Sequence, residues 1–138
     1  MSDGEKPFDL SQYEMADSFT FKVKNIQGDD YLIVGGQPVL CEVWSTGSKQ
    51  GVRALHLAGL ASQMRTMRML RGELDKDDVV KADAERAAKL AAFTKSISTN
   101  FAAAPETITS NPKMNWFTKQ IKEAVSKDAN FSKGSTPS

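Results

Sequence analysis

Residues 39–60 read VLCEVWSTGSKQGVRALHLAGL, and the fold turns on the change of period inside them. Val39, Cys41 and Val43 alternate with Leu40, Glu42 and Trp44, the two-residue repeat of a strand. Ser45-Thr46-Gly47-Ser48 is loop chemistry, and the Ser48 hydroxyl stands where it can accept from the exposed amides of a first helical turn. From Lys49 the repeat becomes helical. Val52, Leu57, Leu60, Met64, Met67 and Leu70 share one face spanning less than half the circumference. The helix predicted over 49–71 stops at Gly72, a normal C-terminal glycine.

Upstream of this stretch, Phe19, Phe21 and Val23 alternate with Thr20, Lys22 and Lys24, which predicts a half-buried strand. Gln27-Gly28-Asp29-Asp30 is a turn and residues 31–34 are a second apolar run. Gly35-Gly36 then supplies the positive-φ freedom of a tight turn. Downstream, the linker over 72–77 is acidic, and Asp77 or Asp78 can cap a second helix over about 79–101. Its stripe is Arg86, Leu90, Phe93, Ile97 and Phe101, with alanines beside it. Asn111-Pro112 opens a third helix, asparagine as cap and proline at the first helical position, with Phe117, Ile121, Ala124 and Val125 inward. Trp116, Phe117, Ile121 and Phe131 are expected to form one structural cluster. The expected fold class is therefore α+β, mainly α: a small N-terminal antiparallel sheet of two to three strands, then three helices. Residues 1–17, with apolar Phe8, Leu10, Tyr13 and Met15, read as a mobile arm. Residues 18–132 read as a single compact domain, and 133–138 as a flexible tail.

The chain has 138 residues, 40% apolar and 25% charged, which supports one folded domain with a modest core. A net charge of +1 gives no global field toward nucleic acid or an anionic membrane. One cysteine, Cys41, excludes an internal disulfide and suits a reducing compartment. The N-terminus lacks the apolar run of a signal peptide. No stretch approaches the ~20 apolar residues that cross a bilayer.

Catalytic chemistry finds no footing in these residues. The single histidine, His56, projects onto the apolar face of the first helix, where a buried or interfacial position is expected; Val52, Arg53, Gly59 and Leu60 around it offer no catalytic partner. Cys41 lies mid-strand with no local cation to lower its pKa and reads as core. Asp75, Asp77, Asp78, Asp83 and Glu85 are interleaved with Lys76, Lys81 and Arg86, and lack the glycine and distal glutamate of a calcium loop. Gly35-Gly36 leads into Gln37-Pro38 rather than a helix, so it is no phosphate cradle. The expectation is a protein that is not an enzyme, with no cofactor and no metal.

Charge is distributed unevenly. Between Glu42 and Glu73 no residue is acidic, while Lys49, Arg53, Arg65, Arg68 and Arg71 are cationic. These cations either pair with the acidic start of the second helix across an antiparallel hairpin or form a basic strip for an acidic partner. Arg53 and Arg71 project close to the apolar stripe, as rim residues do. Met64, Met67 and Met69 add adaptable surface. The candidate partner-binding residues are Leu60, Met64 and Met67 with Arg65 and Arg68 at their rim; the competing reading has the second helix covering the stripe.

Three segments carry a family likeness. They are Phe8-Asp9-Leu10-Ser11-Gln12-Tyr13, the run from Val39 through Gly47-Ser48-Lys49-Gln50, and a C-terminal series. That series is Ser110-Asn111-Pro112-Lys113, Trp116-Phe117, Gln120-Ile121 and Asp128-Ala129-Asn130-Phe131. Together, over roughly 8–133, the chain resembles the tail assembly chaperones of long-tailed (siphovirus-type) bacteriophages, encoded between the major tail protein and the tape measure protein. Many of these end in an Asn-Pro, aromatic, Gln-Val, Asn-Phe pattern. The resemblance implies a homo-oligomeric late protein of the host cell cytoplasm, not expected in the mature virion. It would bind and solubilise the tape measure protein and help recruit subunits of the major tail protein. It also implies a longer frameshifted form in many members. Two other functions compete: a nucleic-acid-binding accessory protein, disfavoured by neutral charge and aromatics lying away from the basic strip, and a minor structural head–tail component.

Overall fold

In the computed structural model, which describes residues 10–73 and 77–132, a mixed and mainly helical fold surrounds a small antiparallel sheet. The central strand is β4 (Leu40–Trp44). On one side it pairs with β1 (Ser18–Lys22), placing Phe19 opposite Val43 and Phe21 opposite Cys41. That register puts the alternating apolar set of both strands on one face, since a strand's side chains alternate with period two. The other face mixes polar and apolar side chains, with Ser18, Thr20, Lys22 and Glu42 beside Leu40 and Trp44. There Ser18 donates to Glu42, and Lys95 reaches both Glu42, 3.3 Å away, and the Trp44 ring.

Between β1 and β4 the chain makes an excursion. Lys24 bridges Tyr31 around a turn at Gly28, and β2 (Ile33–Val34) pairs with β3 (Gln37–Pro38). Gly35 and Gly36 take φ of 61° and 78°, the left-handed pair of a tight hairpin turn. Two amides tie this ribbon to the body. Asn100 donates to the carbonyls of Val34, Gln37 and Pro38, while Gln120 accepts from the Lys24 amide and donates to its carbonyl.

The sheet's third strand is not the 31–34 run. It is β5 (Thr94–Ile97), which pairs with the free edge of β4 and sets Ile97 opposite Cys41. The second helix, α2 (Asp77–Phe93), therefore ends at Phe93 instead of 101. Thr94-Lys95-Ser96-Ile97-Ser98-Thr99 is rich in hydroxyl and β-branched side chains that favour extended backbone. The open edge of β4 gives their amides partners, and the Thr94 hydroxyl donates to the Leu90 carbonyl. A helical hairpin thus stands between two neighbouring antiparallel strands.

The hairpin's first helix is α1 (Lys49–Leu70). The Ser48 hydroxyl caps it by accepting from the Gly51 amide, and Gly72 closes it at φ 71°, both as the sequence predicts. After β5 come a short helix, α3 (Pro105–Thr109), and α4 (Asn115–Ser126). Asn111 caps the 3-10 turn at Pro112–Met114 that leads into α4. Phe117, Ile121, Ala124 and Val125 of α4 are buried against the apolar face of the sheet, with Phe93, Ile108 and Phe131 closing the core. Trp116 packs partly buried on this core, its ring 5.7 Å from that of Phe117, so the expected aromatic cluster forms. Of the N-terminal arm, Leu10–Tyr13 form a 3-10 turn with Leu10 and Tyr13 exposed. The next residues are fastened: Ala16 donates to the Phe131 carbonyl, and Asp17 accepts from Ser45. Residues 1–9 and the tail at 133–138 lie outside the described residues.

Candidate protein-binding surface

Helices expose or bury their residues by row, three and four positions apart. Two rows of α1 compete for the interior. The first is small: Gly51 and Ala54 are buried, Ala58 and Ala61 half-buried, and Arg65 and Arg68 continue the row half-buried. This row faces α2. Arg65 forms an ion pair there with Glu85, which lies on α2 in a half-buried row with Ala82 and Lys89. The small side chains let the two backbones approach. Gly51 cannot carry even a methyl group, because its Cβ would overlap the Ser45 carbonyl and crowd the Phe93 ring.

The second row is large, and it points out. Leu60, Met64 and Met67 are 45%, 67% and 48% exposed, and Val52, Leu57 and Leu70 are exposed as well. The second helix does not cover this stripe. Arg53 and Arg71 lie among these residues on the outward side, exposed, and neither is ion-paired to a carboxylate among the described residues. Of the five predicted partner-binding residues, the structure brings Leu60, Met64 and Met67 together on one open face. It places Arg65 and Arg68 on the α2 side, where Arg65 answers the hairpin-pairing reading of the charges.

His56 is exposed, so of the expected buried or interfacial positions the structure removes only burial within the domain. Its face carries the α1 apolar stripe, and that face meets solvent instead of the domain. Cys41 is fully buried, and burial, aided by the neighbouring Glu42 charge, pushes its thiol up to about 12. It is inert as a nucleophile at neutral pH. An open groove of about 910 Å³ between α2 and α4 is lined by mixed charges, among them Arg86, Glu106 and Lys122; Arg86 is paired with Asp83. No group of three His, Cys, Asp or Glu residues suited to a metal occurs among the described residues. No helix there is long and apolar enough to cross a membrane.

Sequence reasoning found the large stripe but missed the small one beside it. The signal was present: Gly51, Ala54, Ala58 and Ala61 recur at intervals of three and four, and α2 offers alanines in return. Against protein-family models, characterised proteins and solved structures, the chain has no significant match.

Proposed function

We propose that this protein is a tail assembly chaperone of a long-tailed bacteriophage, which binds helical segments of the tape measure protein and keeps them soluble while tail tube subunits are recruited. The observation that supports this reading best is the outward row of α1, large apolar side chains left open along a capped helix. Contiguous exposed apolar surface on a folded domain marks an interaction site. Met64 and Met67, soft and unbranched, suit a surface that meets a succession of different apolar knobs. The sequence likeness over roughly 8–133 supports the choice of this family. A nucleic-acid reading is weakened because α1 carries no Phe, Tyr or Trp for base stacking and Arg65 is committed to Glu85.

The test is co-expression of the tape measure protein with wild type and with Met64→Asp/Met67→Asp, after circular dichroism has shown the variant folded. Loss of soluble tape measure protein with the folded variant supports the proposal; undiminished solubility removes this surface from it. Mass spectrometry of purified particles separates the chaperone, absent from them, from a structural head–tail component, present in fixed copy number.

A further inference from the structure

Arg53, Leu57, Leu60, Met64, Met67 and Arg71 follow one another at intervals of four, three, four, three and four residues. That is the a/d spacing of a coiled-coil seam, here with apolar residues in the middle and a cation at each end. All six are exposed. The seam covers about 27 Å of helix at ~1.5 Å per residue, or five turns. We infer that this seam takes a single amphipathic helix with apolar a and d residues and acidic flanks, and that it is not the surface through which two copies of this chain pair. The inference rests on the proposed function, which supplies a helical partner, and adds the chemistry that selects it.

Charge decides between the occupants. In an antiparallel pair of α1 helices centred on this seam, Leu57 meets Met67 and Leu60 meets Met64, but Arg53 of each copy meets Arg71 of the other. A parallel pair sets Arg53 on Arg53 and Arg71 on Arg71. In neither arrangement does α1 itself supply a compensating carboxylate, since the sequence offers none between Glu42 and Glu73. Like charges across a helix pair act as a barrier to self-association. An acidic helix reverses each of these contacts and is steered in by them. A lipid surface fits less well. Interfacial helices spread cations along the polar side and seat Trp or Phe in the bilayer, whereas α1 has neither Trp nor Phe and two of its cations, Arg65 and Arg68, lie in the half-buried row that faces α2.

The experiment uses the full chain and two labelled synthetic peptides of three heptads, both with Leu at a and d. One has Glu at e and g and the other Lys. Fluorescence anisotropy should show the Glu peptide binding at least about tenfold more tightly than the Lys peptide, with the gap narrowing as salt screens the charges. Arg53→Glu/Arg71→Glu, both exposed changes, should invert the preference, and Met64→Asp/Met67→Asp should abolish binding of both. Equal binding of the two peptides, or binding of neither, overturns the inference. So does dimerisation of the chain alone, in sedimentation velocity, that Met64→Asp/Met67→Asp abolishes, since the occupant is then a second copy. Capture on anionic phosphatidylserine vesicles that the same variant loses would assign the seam to lipid and overturn it equally. If neither peptide binds yet wild type still solubilises the tape measure protein, the seam chemistry fails and the chaperone reading stands. If the Glu peptide binds but the tape measure protein stays insoluble, the chaperone reading fails instead.

Discussion

Helices α4 and α1 show the same 3.6-residue apolar repeat and use it in opposite ways. In α4 the large side chains point in: Phe117 and Ile121 are fully buried beneath the sheet, and the polar row faces solvent. In α1 the small side chains point in and the large ones point out, so only Gly51 and Ala54 are buried, both near the sheet. Beyond Ala54 the hairpin is held by half-buried alanines and the Arg65–Glu85 pair, an ion pair about a third exposed and worth at most about 1 kcal/mol. An apolar stripe therefore says that a helix has something to bury, and leaves open whether the partner lies in the same chain.

This contrast can be broken by experiment, and the largest effect belongs to α4. Phe117→Ala should destabilise the fold by roughly 3–5 kcal/mol in urea unfolding, because a buried ring leaves a cavity. A loss under about 1 kcal/mol would show that α4 is not the keystone of the core. Next comes the foot of α1. Gly51→Ala should cost about 1–3 kcal/mol, the range of overpacked interiors, despite alanine's better helix propensity. A neutral result would mean that α1 does not seat closely on the Ser45 carbonyl.

A third measurement reads the sheet face that α4 covers. The Cys41 thiol keeps its proton to about 12 when folded but ionises near 9.0 when unfolded. Its contribution to stability is therefore complete below 9 and declines as pH rises from 9 toward 12. By pH 10 wild type should have lost on the order of 1 kcal/mol relative to neutral pH through this group. A Cys41→Ala variant should lack that part of the slope, and parallel curves for the two proteins would contradict it. The smallest effect belongs to the outer face of α1. Met67→Ser should change stability by no more than about 0.5 kcal/mol, as exposed sites do, while weakening partner capture. A loss near that of Phe117→Ala would place Met67 in a core and end the contrast.

Local chemistry was legible wherever one residue governs one turn. Ser48 caps α1, Gly72 closes it, Gly35-Gly36 makes the hairpin turn and Asn111 caps the 3-10 turn before α4, each by a hydrogen bond or a backbone angle its own side chain permits. The inward set of α4 was legible too, because its single apolar row leaves no second choice. Residues 94–97 were not, because a period-3.6 stripe through Phe93, Ile97 and Phe101 hides a strand that exists only because β4 has an open edge 50 residues earlier.

By itself the sequence determined the helical period of α1 and α4, the caps at Ser48 and Asn111, the glycine turns, the alternating strands at 19–23 and 39–44, and the absence of carboxylates along α1. Only the tertiary structure decided which way α1 is turned. Both of its rows are apolar enough to bury, and the choice fell to the small one because α2 presents alanines, and alanine rows let two backbones come close. Leu60, Met64 and Met67 were left outside by that choice, and the proposed function depends on it.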